Sequence, residues 1–592
     1  MILKALYDYY HRCGDLAPHG WEYKEISFII VLDADGNFID VEDARSEDRK
    51  HGTSYLVVKG VRSGTTPKPY LFWDNVEYTC NYVAPNPKNS PERQAELQRK
   101  ATLKHHALVD KYKDISSKHP ENPALRAVCL FYENGGVEDL YAHHMWQEIV
   151  KKPTVNISFR LDGELTIVAE ESCLANEIAE VSGDENSAHP AICIITGKPC
   201  NPVESTSPTP LPIPNTQATA RLVSFQVNSG YDSYGKQKGL NAPISKEAEA
   251  SYTTALNRLL GKGSQNKYII GNRTFVFWGS SNSEATVILE NALGKELNGF
   301  GYDSEEEEDD DPNVRVEAVM KAFKSIYSGD VPGALTDRFY FLGLAPNSAR
   351  IAVTHWSDSS LKDFASNMLK HHEDMGIADR RADKKPYTGL YSILRAITAN
   401  GKVSDIKSNL PEAVVKSIVE GRPYPYTLMQ QVILRIHADH KVDIVRAAII
   451  KAYLNRIDRN KQKQLTVMLN KEEENIGYLC GRLFAVLEYT QRKALGISTI
   501  AERYYGAAMS NPGMVFPTLS RLTRHHLDKI SQPGFKIYIE KIKLEISNKI
   551  QSTGFPARLD LYDQGRFVVG YDHQKSDLYT HKEEENKDDN NN

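Results

Sequence analysis

The sequence predicts an α+β protein: a mixed N-terminal α/β region with several short antiparallel sheets, followed by a mainly α-helical C-terminal bundle. Apolar and polar residues alternate through the first hundred residues, as in half-buried strands, further strand-like runs follow among helical and extended segments, and from about Ser359 a 3.6-residue amphipathic period takes over. A third observation is length: 592 residues exceed what one hydrophobic core serves, so three or four domains are expected.

The elements follow in order. ISFIIVLDADGNFIDV (26–41) reads as strand, broken by the turn Asp33-Ala-Asp-Gly36, and TSYLVVKGV (53–61) as another. Pro85, Pro87 and Pro91 interrupt the sheet, and PERQAELQRKATLKHHALVDKY carries helical spacing and good helix formers. NISFRLDG and LTIVAEE, near 155 to 170, read as strands. The segment 199–220 is too rich in Pro, Ser and Thr for regular structure and reads as a long extended connection. Ser245 is placed to cap a helix KEAEASYTTALNRLL that starts with Glu247 and Glu249 near its positive end and stops at Gly261. KYIIGNRTFVFWG reads as a hairpin, and the acidic run Asp303–Asp311 as a solvated linker or mobile loop. RFYFLGLAPNSARIAVTHW is strand-like at both ends with a Pro-Asn turn between. VDIVRAAIIKAYLNRI and IGYLCGRLFAVLEYTQRKAL are amphipathic helices.

Hydrophobic content of 41% and charged content of 25% fit soluble globular proteins. The net charge of -5 conceals asymmetry: the acidic run and the tail Glu583–Asn592 concentrate negative charge, leaving a slightly basic body. MILKALYDYYHRC lacks the build of a signal peptide, and no apolar stretch is long enough for a bilayer, so no membrane association is expected. Seven scattered cysteines without framework spacing point to a reducing compartment, with a cytoplasmic location as the default.

Four His-His pairs occur, and adjacent helical residues point about 100° apart, so they do not chelate as i,i+4 pairs do. His371/His372 before Glu373-Asp374 is the best of them for a metal-dependent hydrolase, against the simpler reading of a solvated helix end. Cys193 and Cys200 could share a zinc ion with Cys173 and His189, or be ordinary buried thiols. P-loop, GxSxG, HExxH and GxGxxG patterns are missing, so no catalytic constellation or cofactor is expected.

Binding chemistry is better represented. SFQVNSGYDSYGKQKGLNAPIS (224–245) combines amides (Gln226, Asn228, Gln237, Asn241), rings (Tyr231, Tyr234) and Lys236 with glycines. These residue types serve base edges, stacking and phosphate, and equally an ordinary loop. Asn75, in KPYLFWDNVEYT, is either a turn-former or an amide held toward a ligand. Between Arg482 and Arg566 there are 13 Lys/Arg against 7 Asp/Glu, with Arg521, Arg524, Lys529, Lys536, Lys541 and Lys543 on helices. Such a face either neutralises phosphates or is simply solvated.

MILKALYDYY, FWDNVEY, LVSFQVNSGYDSYGKQKGLNAPIS with YTTALNRLL, RFYFLGLAPNSARIAV, LCGRLFAVLE and VFPTLSRLTRHHL occur in one order. This set resembles the Csd family, the large subunit of the type I-C CRISPR surveillance complex (Cascade), over nearly the whole chain; Gln226 departs from the Asn expected there. The resemblance implies a non-catalytic subunit in antiviral defence. Its expected partners are the crRNA-containing backbone, handle-binding and small subunits, the double-stranded DNA target with its displaced strand, and a helicase-nuclease. It implies reading of the protospacer-adjacent motif (PAM) by Asn75, Gln226, Asn228, Lys236, Gln237 and Asn241. Tyr231 and Tyr234 would aid duplex opening, and the C-terminal cations would hold the displaced strand of the R-loop. It also implies three parts: 1–358 for DNA inspection and docking, 359–467 as a helical middle region, and 468–592 as a bundle like the Cascade small subunit with a disordered acidic tail. Met468 is then a candidate internal start.

Overall fold

The computed structural model of the chain describes residues 2–47, 51–60, 66–87, 89–177, 190–206, 213–217, 220–225, 234–261, 263–298, 312–378, 389–402, 406, 409–458, 464–550 and 554–589. They form two compact units, one of residues 13–207 and 225–255, the other of 1–12, 208–224 and 256–592. The arrangement is α+β, with short sheets early and helices late.

In the first unit, β1 (Trp21–Ile26) pairs antiparallel with β4 (Thr53–Val58). A four-stranded sheet has the order β3-β2-β6-β5, from β2 (Phe28–Leu32), β3 (Phe38–Asp43), β5 (Trp73–Asn75) and β6 (Asn156–Leu161). β2 and β6 are parallel and the other pairs antiparallel. FIIVL suits the inner position because β-branched side chains pack on both faces there, and all but Val31 are buried. The β2–β3 turn is set by Asp33, whose Oδ1 accepts the N–H groups of Asp35 and Asn37, while Oδ2 accepts the Asn37 amide. Those bonds hold the Asp33 carboxyl below its usual range. Gly36 completes the turn at φ +78°, where a Cβ would also strike Leu130. The helix Pro91–Lys118 starts on Ser90, which accepts the Arg93 N–H. It covers the sheet with Leu108, Tyr112 and Ile115, part of a core that includes Phe28, Trp73 and Phe159.

LTIVAEE is not a strand. Residues 168–170 form a short 3-10 turn, with Ile167, Val168 and Ala169 all buried in the core of this unit. Its Glu170 carboxylate accepts the Leu56 N–H of β4, so a side chain rather than a strand answers that donor.

The second unit holds the antiparallel sheet β12-β11-β10-β9, from β9 (Lys267–Ile270), β10 (Arg273–Gly279), β11 (Arg338–Asn347) and β12 (Arg350–Ser360). The β11–β12 turn falls at Ser348, at φ 54°, two residues beyond Pro346, which stays in register opposite Ile351. One face of this sheet, with Phe275, Phe277, Phe339 and Phe341, shares its core with the C-terminal helices. The helix Ile476–Leu495, expected to be amphipathic, is buried all round from Gly477 to Gln491. It achieves this by close approach to the helix Leu561–Asp589: a Cβ on Gly481 would stand 2.0 Å from the Phe567 carbonyl oxygen, and one on Gly570 2.3 Å from that of Tyr478. Several polar groups caught in this seam bond to one another. Arg482, fully buried, donates to Gln574 and Glu545, and Glu488 accepts from Tyr571, Lys575 and Ser498. His573 lies 2.9 Å from the Tyr478 hydroxyl, and burial lowers its pKa to about 3.

Candidate nucleic-acid interface

Of the polar loop, Ser224, Phe225 and residues 234–245 are described; Gln226, Asn228 and Tyr231 lie outside the described residues. Tyr234 and Gly235 are consecutive left-handed residues, φ 56° and 71°, and Lys238 follows at 48°. An aromatic residue pays steric strain in that region, so its surroundings must over-determine it. Here they do. Asn241 Nδ2 donates to the Lys236 carbonyl (2.9 Å), Lys238 Nζ pairs with Glu204 (2.7 Å), and the Gly239 N–H donates to the Glu204 carbonyl. The hydrogen bond from Lys238, and then its charge, lower the Glu204 pKa. Gly239 faces its own chain: a Cβ would lie 2.0 Å from the Val203 oxygen. The result is a turn whose ring projects into solvent, with Tyr234 98% exposed. Lys236 and Gln237 follow it, both exposed.

A platform lies under the turn. The hairpin of β7 (Ala191–Ile192) and β8 (Pro199–Cys200) donates the Ile194 N–H to the Pro243 carbonyl, and Val203 donates to that of Ile244. Pro202 bridges to Ser245. Ser245 receives the Ala248 N–H on Oγ at 3.2 Å, the cap expected of it, and gives its own N–H to Cys193 Sγ at 3.4 Å. The helix Lys246–Leu260 thus fixes the loop's far end. The hairpin's part in this had no signal in residue type.

Asn75 occupies a different setting. Its Oδ1 caps the helix Val76–Cys80, accepting the N–H groups of Glu77 and Tyr78. Beside it, buried Asp74 accepts the N–H groups of Tyr70 and Asn75, and Phe72, left-handed at φ 58°, stacks on Tyr112. The oxygen of this amide is therefore committed to the fold.

The C-terminal cations divide. Arg521 and Arg524 lie exposed on the helix Pro512–Asp528, with exposed Lys529 just after it. Lys541 is exposed on the helix Pro533–Lys549, where Lys536 is half-buried and Lys543 pairs with Glu540 at 2.8 Å. Among the described residues, Arg521, Arg524, Lys529, Lys536 and Lys541 have no carboxylate partner. Arg482, counted in the cationic excess, is inside the bundle.

The histidine pair at 371–372 is not on a solvated helix end. His371 is fully buried with Nδ1 2.7 Å from the Tyr424 hydroxyl, and the His372 side chain, 7% exposed, lies 3.5 Å from Glu296. The helix Leu361–Met375 carries both into the core because Leu361, Phe364, Met368 and Met375 share His371's face. Asp374 is paired with Arg456 at 2.5 Å. Among the described residues no group of three or more His, Cys, Asp or Glu side chains is placed to hold a metal ion. No described helix is long and apolar enough to cross a membrane.

Fold and site define an α+β protein that presents an exposed aromatic residue in a polar loop and, elsewhere, a helical surface whose described cations include several without a carboxylate partner. The family model for the CRISPR-associated protein Cas_Csd1 matches residues 6–579, and the chain belongs to that family. No curated protein matches it.

Proposed function

We propose that the chain is the non-catalytic large subunit of a type I-C Cascade complex in the cytoplasm. In this reading, base pairing with the guide RNA selects the target, and this subunit inspects the PAM, aids duplex opening, and holds the displaced strand. The observation that carries it is Tyr234: a fully presented ring on a strained turn, flanked by Lys236 and Gln237 and braced from beneath. A ring held in water at a conformational cost is suited to stacking on an unpaired base, and an adjacent amide and cation are suited to base edge and phosphate. Asn241 supports this by shaping the turn. Arg521, Arg524, Lys529, Lys536 and Lys541, lacking carboxylate partners among the described residues, suit a sequence-indifferent strand.

The same reading includes docking to the crRNA-bearing subunits and a surface for the helicase-nuclease. It also includes an internal start at Met468, which is 68% exposed in the non-helical stretch before the helix Ile476–Leu495. The test is omission: complexes assembled on a guide RNA with and without this chain, binding guide-matched duplexes with the motif intact or scrambled. The complete complex should distinguish the two and the chain-free complex should not. Equal discrimination by both would overturn the proposal.

A further inference from the structure

Cys193 and Cys200 are the chemistry left unused. Cys200 pairs with Ala191 across the β7–β8 hairpin, and the Cys193 N–H donates to the Lys198 carbonyl (2.9 Å). Side chains two apart on a strand share a face, so both thiols project from one side of the hairpin as diagonal neighbours. Their surroundings differ. Cys193 is 1% exposed, whereas Cys200 is partly open to solvent. Burial pushes the Cys193 thiol up, but hydrogen bonds from the Thr196 side chain and from the N–H groups of Ser245, Thr196 and Ile195 outweigh it and bring its pKa to about 7. Burial, and then the charge on Cys193, raise that of Cys200. A buried, amide-cradled thiolate beside a reachable thiol has the parts of a resolving pair. A metal would need further donors, and no set of three is present among the described residues.

We propose that Cys193 and Cys200 form a redox-sensitive dithiol at the base of the polar loop, closed to an intramolecular disulfide by a small-molecule disulfide. Cys200 gives its proton to solvent and attacks the small disulfide, forming a mixed disulfide and releasing one thiolate. Cys193 Sγ then attacks Cys200 Sγ; the protein disulfide forms, the mixed bond breaks, and the second thiolate leaves. Two electrons pass from the cysteine sulfurs to the small disulfide, and both released thiolates take up protons. Closure replaces an anionic sulfur by a neutral one, which weakens the bond from the Ser245 N–H and loosens the cap that anchors the loop. The disulfide chemistry stands by itself; its effect on recognition rests on the DNA-reading proposal above.

The test treats the full chain with oxidised glutathione, alkylates remaining thiols and maps peptides without reduction. A linked Cys193–Cys200 peptide should form first, Cys193→Ser should instead retain glutathione on Cys200, and Cys200→Ser should leave Cys193 unmodified. Two free, alkylatable thiols under conditions that modify partly exposed Cys13 or Cys173 would overturn the proposal. So would a Cys193→Ser chain with no adduct on Cys200. In the assembled complex, oxidation should weaken binding of a motif-bearing duplex about fivefold, the size of one net hydrogen bond, and reductant should restore it. Unchanged affinity with the disulfide formed would remove the coupling to the loop. Failure of the reduced complex to discriminate the motif would instead refute the DNA-reading proposal.

Discussion

The polar loop and the C-terminal helices draw on the same side chains, amides, tyrosines and cations, and use them in opposite ways. In the loop, Tyr234, Lys236 and Gln237 face water while Asn241, Lys238 and Gly239 hold the backbone that presents them. In the seam between the helices Ile476–Leu495 and Leu561–Asp589, Arg482 donates to Gln574, and Tyr571 and Lys575 donate to Glu488, away from bulk solvent. The cations Arg521, Arg524 and Lys541 lie outside that seam, exposed. Residue type alone therefore does not separate a binding surface from a buried network; what separates them is whether polar groups have partners within the fold.

The comparison breaks most visibly at Arg482. Arg482→Ala removes a wholly buried guanidinium and strands Gln574, and should cost about 3 kcal/mol of stability in chemical denaturation. Arg521→Ala, on the exposed face, should change stability by less than about 0.5 kcal/mol. Equal effects would erase the distinction between inner and outer cations. A smaller effect sharpens the outer half. Alanine at Arg521, Arg524 and Lys541 should lower binding to single-stranded DNA of any sequence, and the salt slope of log K should fall by about 0.7 for each phosphate left without its cation. A slope equal to wild type would mean that these side chains meet only solvent.

Much of the architecture was legible in the sequence, because the β2–β3 and β9–β10 hairpins, the Ser245 cap and the long helix after Ser90 rest on local chemistry. LTIVAEE misled because an apolar run reads alike whether it enters a sheet or packs against one in a 3-10 turn. His371 and His372 misled because flanking Lys and Glu made a core helix read as a surface one. The candidate site was legible in composition and opaque in arrangement. Asn75 and Asn241 are both asparagines in polar segments, yet one caps a helix and the other braces a turn, and both roles depend on backbone groups that residue type does not reveal. The platform of Cys193, Val203 and Glu204 comes from far up the chain, so no local pattern could disclose it.

Tyr234 offers the most direct measurement of the central claim. In the assembled complex, Tyr234→Ala should weaken equilibrium binding of a guide-matched, motif-bearing duplex by about 1 to 3 kcal/mol, the range of base–aromatic stacking, with the scrambled-motif duplex bound as before. The variant should assemble normally, because the ring stands in solvent and supports no part of the core. An unchanged preference for the motif-bearing duplex in a normally assembled Tyr234→Ala complex would contradict the loop's role in reading DNA.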